Sequence, residues 1–147
     1  MEISKKEYSR LADEKSPDSK LLVNCLWAFF AGGMICVVGQ GFTELYKYLG
    51  AQEQAARSWT SITLIFIGVM LTAFGLYGKI AKRAGAGTLV PITGFANSVA
   101  SPAIEFKSEG YITGLGAKMF TIAGPVIVYG TLAGAIYGAA LLLLGQV

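Results

Sequence analysis

Apolar residues fall into four runs along this chain, over residues 21–41, 58–78, 85–104 and 119–147, and most of the charge sits outside them. Each run reaches the roughly 20 residues that a helix needs to cross a bilayer. In the first, LLVNCLWAFFAGGMICVVGQG, the small residues Ala28, Gly32 and Cys36 recur at spacing four. Such a row lets another helix approach closely. Asn24 and Trp27 sit near the start of this run and Gln40 near its end. Residues 43–57 read as a short loop, with Tyr46 and Tyr48 in an interfacial belt and 52–57 able to start the next helix early. The second run has Trp59 and Tyr77 as end anchors and Gly68, Thr72 and Gly75 as another small-residue face. The last run is uncharged. Its Gly130, Gly134 and Gly138 form two overlapping G-x-x-x-G units, a helix-packing signal. Gly124 and Pro125 predict a backbone break near its start.

The third run, GAGTLVPITGFANSVASPAI, departs from a lipid-facing helix. Pro91 and Pro102 each remove a backbone donor and disfavour helix just before them. Gly94 loosens the middle. Thr93, Asn97 and Ser101, with Ser98 beside them, give one helical face a polar edge. Broken backbone survives in hydrocarbon only where protein or a watery cavity satisfies it. The run is therefore expected to line a pore or a protein-buried interface, with Thr93, Asn97, Ser101 and Gln40 as candidate lining residues. A full crossing with irregular backbone near Pro91 and Gly94 is the expectation, and re-entry is the alternative. The predicted fold class is an all-α membrane protein of about four transmembrane segments, the third and fourth broken by Gly/Pro or partly re-entrant.

Composition agrees with a membrane protein. The 147 residues are 54% hydrophobic and 14% charged, against about 25% charged in soluble domains. Residues 1–20 form a polar tail of mixed charge, solvated or folded as a short interfacial helix, and 21–147 a single transmembrane domain. The first apolar run begins only after that tail, so no cleaved signal peptide is expected. The net charge of +3 is small, and the basic residues report orientation, not nucleic acid. Five Lys and Arg in the tail and three in Lys79, Lys82 and Arg83 predict a cytoplasmic N-terminus. Those three cations, with Glu105 and Lys118, are also candidate charges at the mouths of a passage. A Glu105–Lys118 salt bridge fixing the turn is the plainer alternative.

The chemistry-bearing residue types are sparse. There is no histidine. Cys25 and Cys36 lie about 16 Å apart along one helix, too far to bridge. Neither a phosphate-binding loop, nor a nucleophile elbow, nor metal-ligand spacing is present. No enzyme, cofactor or metal site is expected.

From residue 84 to 130 the chain reads AGAGTLVPITGFANSVASPAIEFKSEGYITGLGAKMFTIAGPVIVYG, and AGGMICVVGQ precedes it. These runs resemble the SpoVAC/SpoVAEb family of sporulation membrane proteins. The EFK-EGY and KMFTIAGP runs match the AC branch, because the AE-b branch lacks them. The resemblance implies residence in the spore inner membrane and action with other products of the same operon. It also implies movement of dipicolinic acid, usually with calcium, into the spore during sporulation and out at germination. A channel-like, tension-responsive subunit is the implied activity, with membrane lipid and further copies of itself as neighbours. A structural subunit whose partners form the path or gate is the alternative. The family has no catalytic residue to carry over.

Overall fold

A computed structural model describes residues Glu7, Tyr8 and 20–145. The expectation for residues 1–20 lies, apart from Glu7, Tyr8 and Lys20, outside them. Among the described residues the elements are helical, as the composition predicts. We label the α-helices α1 (Leu21–Tyr48), α2 (Glu53–Ala73), α3 (Leu76–Ala84), α4 (Ala86–Leu89), α5 (Ile92–Glu105) and α6 (Ala117–Leu143). A 3₁₀ turn (Phe106–Glu109) and a π-helical turn (Tyr111–Gly116) join α5 to α6. Three helical stretches are long and apolar enough to cross a membrane: Leu21–Tyr48, Glu53–Ala73 and Tyr111–Leu143.

The first two helices form an antiparallel pair, and their ends differ from expectation. The loop predicted over 43–57 is only Leu49 to Gln52, because α1 runs on to Tyr48. Glu44, Glu53 and Arg57 there stay exposed, but the threonines do not. Thr43 and Thr60 are buried with their hydroxyl oxygens 3.0 Å apart. Each also reaches a carbonyl one turn back, at Gly39 and Ala56. Tyr46, predicted in the interfacial belt, instead meets the Thr63 hydroxyl at 2.6 Å and stands edge-on to Trp59. Threonines that back-bond to their own helix can sit in an apolar seam at little cost, so a polar stretch stays helical.

At the other end α2 stops at Ala73, short of the expected Gly78. Gly75 adopts φ +67, a left-handed conformation that ends the helix cheaply only for glycine. It ends the helix and has open space around it, so it is not part of a packing face. The amphipathic α3 follows and buries Tyr77 and Ala84 while Lys79, Lys82 and Arg83 stay exposed.

Residues 85–104 then fold back on themselves. Gly87 sits on Ala28 so closely that a Cβ there would lie 2.1 Å from the Ala28 carbonyl oxygen. Gly32 faces Gly87 from the next turn of α1. Val90 and Pro91 share a groove with Gly33 and Cys36. The short α4 therefore climbs beside α1 in the same direction. After Pro91 the order changes. Thr93 packs on Gly68, and Asn97 reaches Thr72. Thus α5 descends parallel to α2, which itself runs opposite to α1. The hairpin turns beside the middle of α1, about 20 Å from Leu21 at 1.5 Å per residue. Its 14-residue α5 is about 21 Å long, short of the ~30 Å hydrocarbon core.

The full crossing expected for this run is therefore corrected to the re-entrant form. Glu105 returns to the end of the bundle that carries Leu21 and Lys82. The breaks are also redistributed. The chain breaks at Val90 and Pro91, while α5 runs through Pro102 and α6 through Pro125 and Gly124. A proline inside a membrane helix costs one backbone bond, and neighbouring groups compensate for it. Gly94 is needed for the turn itself: a Cβ there would lie 2.3 Å from the carbonyl oxygens of both Thr88 and Leu89.

Candidate functional site

The inside of the re-entrant hairpin gathers hydroxyl and amide groups from several elements. Tyr77, from α3, is 4% exposed. Its phenolic oxygen lies 2.7 Å from the Thr88 carbonyl and 3.1 Å from Thr93 Oγ1. One phenolic proton serves one acceptor at a time, so the Thr93 hydroxyl completes the second contact. Thr72, on α2, lies 2.7 Å from the Gly68 carbonyl and 2.9 Å from Asn97 Oδ1. Here too a single hydroxyl proton is shared between two acceptors. An Asn97 amide turned to present its NH₂ would satisfy both contacts, because the Thr72 oxygen can accept as well as donate. Thr88 caps its own turn by bonding the Gly85 carbonyl at 3.0 Å.

The candidate lining residues are thus separated by the fold. Thr93 and Asn97 face α2 and the Tyr77 phenol and do not face lipid. The cleft that reaches Thr93, about 200 Å³, is walled mainly by apolar chains such as Met34, Leu64 and Ile67. Ser101 lies half-buried two turns further along α5. Gln40 is elsewhere, exposed near the far end of α1, where its amide donates to Glu44 at 2.7 Å.

The charged candidates gather at one end. Lys82 and Arg83 line hollows shared with Asn24 and Trp27 at the start of α1. Re-entry brings Glu105 and Lys118 to this same end, where a four-span path would have put Lys118 at the opposite mouth. Lys118 does not pair with Glu105. Its ammonium sits 4.8 Å from the centroid of the Phe106 ring, a cation–π contact, while Glu105 is exposed. Of the packing candidates, Gly32 meets the hairpin and Cys36 borders it. Gly130, Gly134 and Gly138 have open space around them.

Sequence reasoning missed the partners of the polar face. Tyr77 reads as an interfacial anchor because a basic cluster follows it. Thr72 reads as a small packing residue. Thr88 carried no signal. Only the tertiary fold brings them to Thr93 and Asn97.

The architecture defines a small polytopic helical membrane protein built around a re-entrant hairpin. A family model described as SpoVAC/SpoVAEB sporulation membrane protein matches residues 24–140. The chain belongs to that family. It is also 44% identical over 135 residues to the Stage V sporulation protein AC of Bacillus subtilis (strain 168), covering 91% of this chain and 90% of that protein. No solved structure matches it.

Proposed function

We propose that this protein is a non-enzymatic subunit of a passage for dipicolinic acid, with calcium as the accompanying ion, in the spore inner membrane. The single observation that supports the reading best is the half-depth hairpin. Non-helical backbone at that depth is tolerated only inside protein or beside water. Here it carries hydroxyl and amide groups that are held by other side chains and can exchange partners. Dipicolinate is a flat dianion, and its passage needs donors that bind weakly enough to release. Gathering Lys79, Lys82, Arg83 and Lys118 at one end supports an anion-collecting mouth there, on the cytoplasmic side by the orientation of the basic residues. Glu105 at the same mouth suits the calcium. Widening under membrane tension would have to part the contacts that hold the hairpin to α1 and α2.

The test is dipicolinate efflux from liposomes, read by terbium luminescence, with patch recording under suction. Efflux that rises with tension is expected, and Asn97→Leu should impair it at unchanged protein abundance. Undiminished efflux in that variant would rule out the hairpin as part of the path.

A second reading is favoured by the apolar walls around Thr93 and the open space at Gly130 to Gly138. In it, the chain is a structural subunit, and further copies or other products of the same operon complete the path. Conduction that appears only after those partners are added would select it.

A further inference from the structure

We propose that the Leu21 end of the bundle holds one phospholipid with an anionic headgroup, its phosphate on Lys82 and Arg83 and an acyl chain laid along Trp27. This goes beyond the passage reading and does not depend on it; a phosphate seated on Lys82 and Arg83 would leave Lys79 and Lys118 to collect anions at that mouth.

Three hollows meet at this place. An open groove of about 660 Å³ runs between α1 and α3, walled by Trp27, Ala31 and Ile80 with Lys79, Lys82 and Arg83 along its rim. A second, of about 290 Å³, lies on the other side of Lys82 and Arg83, against Asn24, Cys25 and Gly85. The two cations therefore line both hollows. A third hollow, of about 360 Å³, is lined by Val23, Leu26, Trp27 and Phe30 and is wholly apolar. Trp27 is the wall common to the first and third.

Charge and polarity fit a lipid in its two parts. None of the three cations has a carboxylate within ion-pair reach among the described residues. The ion pairs there, Lys47 with Glu44 and Arg57 with Glu53, lie at the far end of the bundle. An Arg guanidinium can grip two oxygens of a phosphodiester, and an adjacent Lys and an amide such as Asn24 add further donors. A free inorganic anion would use that rim but would have no use for the adjoining apolar hollow. A lipid fills both. Basic pockets between membrane helices hold anionic headgroups on this physical basis.

The chain has two tryptophans, so Trp59→Phe leaves Trp27 as the sole reporter while keeping a ring against Tyr46. That protein is placed in vesicles of zwitterionic lipid containing a brominated lipid that quenches indole. We expect brominated phosphatidylglycerol to quench Trp27 at a several-fold lower mole fraction than brominated phosphatidylcholine. Lys82→Gln and Arg83→Gln should each cut that preference, by about five-fold per cation if each acts like a basic residue at an anionic surface. The charge-preserving pair Lys82→Arg and Arg83→Lys should retain it, which guards against a folding defect. Lys107→Gln removes equal charge at the same end and should leave the preference intact. Equal quenching by the two lipids in the parent would overturn the proposal. So would an equal loss with Lys107→Gln, which indicates diffuse surface charge. Loss of the preference on adding inorganic phosphate would show a site for free anions and would overturn it too.

Discussion

Replacing Gly87 with alanine tests the seat of the hairpin with one methyl group. The added Cβ would lie 2.1 Å from the Ala28 carbonyl oxygen and 2.8 Å from the Ala28 carbonyl carbon and Cα. All three are backbone atoms of a long helix, so no rotamer change relieves the clash. Ordinary contact begins at 3.4 Å, so α4 must retreat from α1 by about 1.3 Å. Overpacking typically costs about 1–3 kcal/mol, and a rigid obstacle puts this case at or above the top of that range. For a chain of this length, about 3 kcal/mol corresponds to a fall of roughly 10 °C in Tm.

Two companions calibrate the measurement. Gly32→Ala places its Cβ 3.2 Å from the Gly87 carbonyl oxygen, a strain that a small shift relieves, and about 1 kcal/mol is expected. Gly130→Ala meets nothing within 4 Å and should stay within about 0.5 kcal/mol. The assay is the fraction of monodisperse protein that survives heating in detergent. Ala28→Gly should not rescue Gly87→Ala, because the clash is with backbone and not with the Ala28 side chain. If Gly87→Ala melts with Gly130→Ala, the hairpin does not sit on α1, and the re-entrant register is wrong.

The remaining predictions concern topology and the two polar clusters. With Cys25 and Cys36 replaced by alanine, single cysteines at Glu105 and Lys82 should be labelled from the same side of the membrane, and one at Leu143 from the other. Labelling of Leu143 from the side of Lys82, with Glu105 labelled from the opposite side, would restore the full crossing. Tyr77→Phe leaves the Thr88 carbonyl without its phenolic donor and should cost about 1–2 kcal/mol in the same melting assay, and no change would show that the Thr93 hydroxyl replaces it. Thr43→Cys with Thr60→Cys should oxidise readily, since the native hydroxyl oxygens are 3.0 Å apart. Oxidation should leave dipicolinate efflux unchanged, and a locked passage would place the moving seam at the far end.

The helical class and three spanning runs were legible because hydrocarbon allows little else. The break at Pro91 was legible too, since proline acts on its immediate neighbours. The direction of the chain after Pro91 was not. Crossing and re-entry share the same local sequence, and Gly87 on Ala28 and Gly68 on Thr93 decide between them across 59 and 25 residues of chain. The small row on α1 is visible in the sequence, but that Gly87 lies against it is not. Thr43 and Tyr46 misled because polar residues at a run's end normally signal water. Here each finds an opposite number on α2.

Inside a bilayer, α1 and α2 gain nothing from burying apolar area against each other, since lipid tails are equally apolar. What holds them must be close backbone approach and hydrogen bonds, and the two ends of the pair use these differently. The far end is fastened directly, by Thr43 to Thr60 and Tyr46 to Thr63. At the near end the hairpin stands between the helices, touching α1 through Gly87 and α2 through Thr93 and Asn97. A force spreading the pair at the near end must therefore part the hairpin either from Ala28 on α1 or from Gly68 and Thr72 on α2. Parting from α1 would leave Thr93 and Asn97 covered, because both bond to α2 or α3 and neither to α1; only parting from α2 would free the Asn97 amide. A single chain offers one such face. Under the proposed passage, a continuous polar route would need such faces from further subunits, for which the open Gly130 to Gly138 stripe is a candidate contact.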